Sequence, residues 1–177
     1  TKETMGLRVD ESVDYWFSRY PWKKPSKKEI ENKIVARVVA LVKEKGEAMP
    51  GVKKVIEFLA NKNIPMAIAS SSKTEIIDAV LEKISIRHYF KVIHSAENES
   101  YGKPHPGVYI TTAKKMGISP EDCLAFEDSP NGVLAAKAAK MKCVAVPDRT
   151  MKDNKIFSIA DAVIHSLEDF NYDIINI

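Results

Sequence analysis

Phe126-Glu127-Asp128-Ser129-Pro130-Asn131-Gly132 sets two adjacent carboxylates at the end of a short apolar run, Cys123 to Phe126, followed by a Ser129-Pro130-Asn131-Gly132 turn and an alanine-rich helix from Val133 to Met141. Acids at the point where a buried strand gives way to a loop sit at the usual ligand crevice of an open parallel sheet. Two hard oxygen donors there suit Mg2+, which takes few carboxylates and keeps water and substrate phosphate as its other ligands. The same pair also fits a solvated cap on the alanine-rich helix that follows, since acids favour helix N-termini. A second segment, Pro65-Met66-Ala67-Ile68-Ala69, has a buried-strand pattern and ends in Ser70-Ser71-Ser72-Lys73. Hydroxyls and free backbone N–H groups at a strand-to-helix turn cradle phosphate, although an ordinary Ser/Thr helix cap reads the same way. The third segment is Tyr101-Gly102-Lys103-Pro104-His105-Pro106-Gly107. Its prolines exclude a regular helix and hold the backbone extended, so the loop can aim Lys103 at a fixed anion. Taken alone, this lysine reads equally as a surface residue in a proline-rich turn.

The order of these segments is more specific than any one of them. A strand ending in Ser70, a loop Lys103-Pro104 and a strand ending in Glu127-Asp128 together resemble the haloacid dehalogenase superfamily. Ser70 matches its second motif, Lys103 its third, and Glu127 with Asp128 its fourth. Met49-Pro50-Gly51-Val52 resembles the family's return from cap to core. Lys103-Pro104-His105-Pro106 and Glu127 to Gly132 resemble the sugar-phosphate branch, which holds β-phosphoglucomutase and the 2-deoxyglucose-6-phosphate (hexitol phosphate) phosphatases. Met5-Gly6-Leu7-Arg8-Val9-Asp10, Tyr15-Trp16 and Tyr20-Pro21-Trp22 are similar to the cap of the phosphatases more than to that of the mutase.

The resemblance implies an Mg2+-dependent phosphatase of small sugar or polyol phosphates that works through an aspartyl-phosphate. It implies that Asp128 ligates the ion, with Glu127 beside it as ligand or support. Lys103 would neutralise phosphate oxygens, and the Ser70 hydroxyl and Ser71 N–H would hold them. Ser72 and Lys73 align with mutase residues that grip the non-transferring phosphate. Arg8 is one residue out of register with a mutase arginine, and a salt-bridging role is the expectation for it. One departure stands against this. The family's first motif, Asp-x-Asp, carries the nucleophile and the general acid/base, and it occurs nowhere in the chain. The chain starts with Thr1 and opens in what resembles the middle of the cap. It is therefore expected to be a fragment, inactive alone, whose core lacks the family's central strand. The alternatives are a β-phosphoglucomutase-like phosphotransferase and a non-catalytic binding protein on a phosphatase scaffold.

The elements that must position these residues follow from periodicity. Val13, Trp16, Phe17 and Tyr20 share one helix face, and Ser26 with Glu29 forms a capping-box pattern ahead of a helix with Ile30, Ile34, Val38, Leu41 and Val42 inward. Residues 1–48 are thus expected to be an α-helical cap. From Val52 helices alternate with short runs at Met66–Ala69, Val92–His94, Cys123–Phe126, Val144–Val146 and Ala162–Ile164. That alternation predicts an α/β fold, a Rossmann-like parallel sheet core over residues 49–177.

Composition narrows the function classes. The net charge of +3 over 177 residues is modest. The lysines are spread as Lys23-Lys24, Lys53-Lys54 and Lys114-Lys115, which argues against nucleic acid as a partner. Ile34 to Val42 is too short to span a bilayer, so no membrane partner is expected. Cys123 and Cys143 have no metal-ligand spacing and read as buried free thiols, which suits a reducing cytoplasm. Of the four histidines, only His105 lies in a motif loop, where a turn role fits it better than catalysis. The expected partner is a small phosphorylated sugar or polyol, and the complete protein is expected to be a monomer.

Overall fold

From Val52 the alternation of helical and strand-type periods is realised almost element for element in the structure, a computed structural model that describes residues 2–148 and 150–176. The order is α1 (Val9–Arg19), α2 (Lys27–Lys45), α3 (Val52–Asn61), β1 (Met66–Ser70), α4 (Thr74–Lys83), β2 (Phe90–Ser95), α5 (Gly107–Met116), β3 (Leu124–Glu127), α6 (Pro130–Ala138), β4 (Lys142–Ala145) and β5 (Ala162–Val163). Every strand pairing among the described residues is parallel. Thr1, Arg149 and Ile177 lie outside the described residues, and with them the outer ends of the two expected domains.

Among the described residues the strands form two sheets. One has the order β1-β2, the other β3-β4-β5. Among the described residues β1 pairs only with β2, and β3 pairs only with β4 on one side. Burial follows this division. Cys143, Val144 and Ala145 of β4, flanked on both sides, are wholly buried. Every residue of β1, expected to be a buried strand, is only half-buried. A strand lacking a neighbour on one edge cannot exclude water there. One apolar core lies under α5, α6 and β4 around Val108, Val133 and Cys143, and a second joins Ile56, Ile77, Leu81 and Ile86 from α3, α4 and the turn after α4.

Local chemistry sets the helix ends, and here three expectations change. The expected turn Ser129-Pro130-Asn131-Gly132 is instead the cap and first turn of α6. Ser129 Oγ accepts from Gly132 N at 3.0 Å, and Pro130 fills the first helical position, where its missing N–H costs nothing. The third strand is shifted by one residue, because Cys123 N bonds back to Pro120 O in a tight turn and Glu127 extends the ladder. Cys123 is accordingly half-buried, whereas Cys143 is buried. The α2 face is also rotated: Val35 is buried while Ile34 and Leu41 are exposed. This helix packs against both α1 and α4, so its contact surface is not one stripe. The capping box at its start is present, with Ser26 N donating to Glu29 Oε2 at 2.7 Å.

Candidate functional site

The carboxyl ends of β1 and β3 face a single cavity of 380 Å³ whose walls include Ser70, Ser71, Ser72, Lys103, Glu127 and Asp128. Three segments far apart in the chain therefore meet where strands give way to loops, the ligand-binding end of an open parallel sheet. Met5, Gly6 and Leu7 also line it, and Asn131 Nδ2 donates to Met5 O at 3.1 Å.

The basic group is firmly seated. Lys103 is 6 % exposed and its Nζ donates to Ala69 O at 3.2 Å. It forms an ion pair with Glu127 Oε1 and lies over the ring of Tyr109, 4.7 Å from its centroid. The Tyr109 hydroxyl also donates to Glu127 Oε1. Burial, then the Glu127 charge, pushes the Tyr109 hydroxyl well above the ordinary tyrosine range, so it stays a donor. Glu127 is boxed in on its other side, since a Cβ on Gly132 would lie 1.8 Å from Oε2. Only glycine at that position leaves room for the carboxylate.

The β1 loop supplies hydroxyls and N–H groups. Ser70 Oγ accepts from Ser72 N at 3.1 Å and keeps its own proton to donate. Ser71 Oγ is buried against the cavity without a hydrogen-bond partner, an open position for an acceptor such as a phosphate oxygen. Ser72 O is tied to Ser95 Oγ at 2.6 Å, which fixes the loop to the end of β2. Lys73 is not among the lining residues. It caps α4, and its amine faces Glu97 at 3.8 Å, because Glu97 itself reaches across to accept from Thr74 N at 3.0 Å.

Asp128 is exposed at the cavity, whereas Glu127 is buried. The surrounding walls, then the charge of Glu127, raise its pKa above the ordinary carboxylate value. Two neighbouring acids, one already paired with an ammonium and one not, leave negative charge that a divalent cation offsets. This donor set fits Mg2+, with Asp128 the freer oxygen ligand and Glu127 committed to Lys103 and Tyr109. Among the described residues no group of three or more His, Cys, Asp or Glu gathers as a metal site.

Tyr109, which meets both Lys103 and Glu127, carried no signal in the sequence, because it lies on α5 and looks like any core aromatic. Met5 to Leu7, Ser129 and Asn131 belong to segments that resemble the family, but their place at the site comes from the structure. Arg8 is a salt-bridging residue, 2.9 Å from Asp10 Oδ2, but it also donates to main-chain carbonyls of the core. His105 accepts from Gly107 N at 3.1 Å within the proline turn, the role its loop suggested. Burial raises the Cys143 thiol to about 12, so it is no candidate nucleophile.

Comparison with known proteins places the chain in a family. The family description "haloacid dehalogenase-like hydrolase" matches residues 6–140. Hexitol phosphatase B of Escherichia coli (strain K12) is 37% identical over 167 residues, which cover 94% of this chain and 75% of that protein. CbbY of Rhodobacter sphaeroides, solved with xylulose-(1,5)bisphosphate, superposes with a TM-score of 0.83 at 26% identity, covering 93% of this chain and 75% of that one. β-Phosphoglucomutase of Clostridium difficile shares the fold, with a TM-score of 0.85 at 24% identity over 99% of this chain and 78% of that one.

Proposed function

This chain belongs to the haloacid dehalogenase-like hydrolases, and from that membership we propose that it is the greater part of a phosphatase of small sugar or polyol phosphates. One observation carries the reading: Ser70, Lys103, Glu127 and Asp128 line one cavity. The relationship to hexitol phosphatase B supports the substrate class. In this reading residues 1–48 are the cap that covers the site and 49–177 the core. The two free thiols suit a reducing cytoplasm, and the protein is a monomer when complete.

The roles follow from the chemistry of each group. Lys103 neutralises a phosphoryl oxygen while the Ser70 hydroxyl, the Ser71 N–H and the unpartnered Ser71 hydroxyl donate to the others. Donors fixed before substrate arrives stabilise the charge of transfer without reorganising, which supplies most of phosphoryl-transfer catalysis. Asp128 holds Mg2+, and Glu127 orients Lys103 beside it. When bound, the ion offsets repulsion between a carboxylate nucleophile and the phosphate. No Asp-x-Asp occurs in these 177 residues. We assign the nucleophile to a strand supplied from outside them, between β1 and β3. There a carboxylate oxygen bonds to phosphorus as the ester P–O bond breaks, and the leaving alkoxide takes a proton from the second aspartate. Water then attacks the aspartyl-phosphate, returns that proton to the aspartate, and inorganic phosphate leaves. Lys73, held by Glu97 and away from the cavity lining, gives no second phosphate grip, which favours the phosphatase over a mutase.

The test is the complete protein on a panel of hexose and polyol phosphates with Mg2+. It should release inorganic phosphate without accumulating a sugar bisphosphate. Asp128→Ala should lower Mg2+ affinity about tenfold or more and activity with it. A metal-independent, fully active Asp128→Ala protein rules out the assigned role, and a bisphosphate intermediate moves the reading to the mutase.

A further inference from the structure

The segment between β2 and Lys103 is held from two sides. From the core, His94, 3 % exposed, sets Nε2 2.6 Å from Glu99 Oε1 and Nδ1 3.0 Å from Lys115 Nζ. From the helical layer, the first turn of α1 reaches across. Arg8 Nη1 donates to Ala96 O at 3.2 Å and to Glu99 O at 2.8 Å. Glu11 Oε1 accepts from Gly102 N at 2.9 Å, while its Oε2 accepts from Arg8 N at 3.0 Å. The Arg8 side chain is 15% exposed, and its Nε lies 3.6 Å from Glu11 Oε1. A Cβ on Gly102 would lie 2.3 Å from the Glu11 carboxylate, so the carboxylate is packed directly on the backbone next to Lys103.

These contacts have a shared consequence. A guanidinium spending two donors on main-chain carbonyls and an acid spending one oxygen on a main-chain N–H read no side chain of the core. They fix only the path of the backbone from Ala96 to Gly102. Lys103 is the next residue, and its Nζ must span to Ala69 O and Glu127 from that fixed point. Charge-assisted hydrogen bonds of this kind are stronger than neutral ones and hold geometry tightly. We propose that Arg8 and Glu11 are positioning residues: an α1 latch that seats the Gly102–Lys103 backbone, so that the anion-binding ammonium takes its place only when α1 is docked. The proposal rests on the phosphatase reading only in treating Lys103 as the anion-binding group.

The test needs no turnover, so it fails separately from that reading. Hydrogen exchange at the Gly102 amide reports the latch, and labelling of amines by a lysine-selective reagent reports the seat of Lys103. In this chain Gly102 should be protected and Lys103 should label slowly, with exposed Lys53 and Lys54 as internal controls. Glu11→Ala and Arg8→Gln should each speed Gly102 exchange about tenfold or more, and should raise labelling of Lys103 several-fold without changing the controls. Glu11→Gln, which keeps an acceptor, should give smaller changes at both positions. If one variant fails to fold, the other decides. An unprotected Gly102 amide in the wild-type chain overturns the latch. So do folded variants in which Lys103 labelling is unchanged, even where Gly102 exchange rises.

Discussion

Lys103 and Glu127 are 6 % and 7 % exposed, and neither charge has water to fall back on. Their pairing therefore bears on stability as well as on the proposed chemistry. Removing one member of a buried pair leaves the other charged in a low-dielectric setting, at a cost of about 3–5 kcal/mol, whereas replacing both with apolar groups is often neutral. Lys103→Met should accordingly lose ~3 kcal/mol in urea unfolding, since Glu127 would keep only the Tyr109 hydroxyl and the distant Ser129 hydroxyl at 3.4 Å. Adding Glu127→Leu to that variant should recover most of the loss. If Lys103→Met unfolds at the wild-type midpoint, the pair is not closed in solution and the ammonium is free of Glu127. The arrangement also explains why the two acids of one motif differ. In the proposed phosphatase Glu127 serves Lys103, and Asp128, with the charge of Glu127 beside it, is left for the metal.

At the scale of elements, the sites where the strands end were legible from sequence and the contacts that brace them were not. Short β-branched runs between helical periods located β1 to β5 within a residue or two, because alternation and helical period are local properties. The sequence pattern puts the start of α6 too late, because Ser-Pro-Asn-Gly is turn chemistry until Ser129 caps Gly132 N. Arg8 and Glu99, 91 residues apart, meet only through the packing of α1 on the core, which no local pattern records. The same holds for the His94–Glu99–Lys115 cluster between β2 and α5. Burial pushes the Glu99 carboxyl up, but hydrogen bonds from His94 and Thr111 and the charges of His94 and Lys115 outweigh it. Its pKa ends below the ordinary 4.5. An acid lowered on folding contributes stability above its unfolded pKa, and that contribution is lost as pH falls below about 4.5. Glu97, also lowered, adds to the same window; Asp128, raised, works in the opposite direction. Glu99→Gln should therefore destabilise the chain by about 1–2 kcal/mol at pH 7 and flatten the loss of stability between pH 5 and pH 3, read from urea midpoints. An unchanged pH slope would mean that the carboxylate is not paired with His94.

For the whole molecule, the division into β1-β2 and β3-β4-β5 links stability to function. In the proposed reading one more parallel strand joins β1 to β3, beside the half-buried β1 and the cavity at the carboxyl ends. That strand would bring the Asp-x-Asp carboxylates within the ring formed by Ser70, Lys103 and Asp128. The 177 residues alone should then bind phosphate-bearing sugars weakly and turn none over. Ser70 Oγ accepts from Ser72 N, and no histidine lines the cavity among the described residues to activate it. Groups that bind without a nucleophile leave at most a residual rate. The open edges should also make the chain marginally stable and prone to pair with any extended segment. Extending the chain by an Asp-x-Asp strand should restore both properties together: phosphate release from hexose or polyol phosphates with Mg2+, and a higher urea midpoint. The two gains have one cause, so they should rise in parallel across strand variants, and changing the first aspartate of that strand to Asn should abolish turnover while leaving the gain in stability. Turnover by the unextended 177-residue chain that survives repurification and disappears on Ser70→Ala would contradict this and make Ser70 the nucleophile.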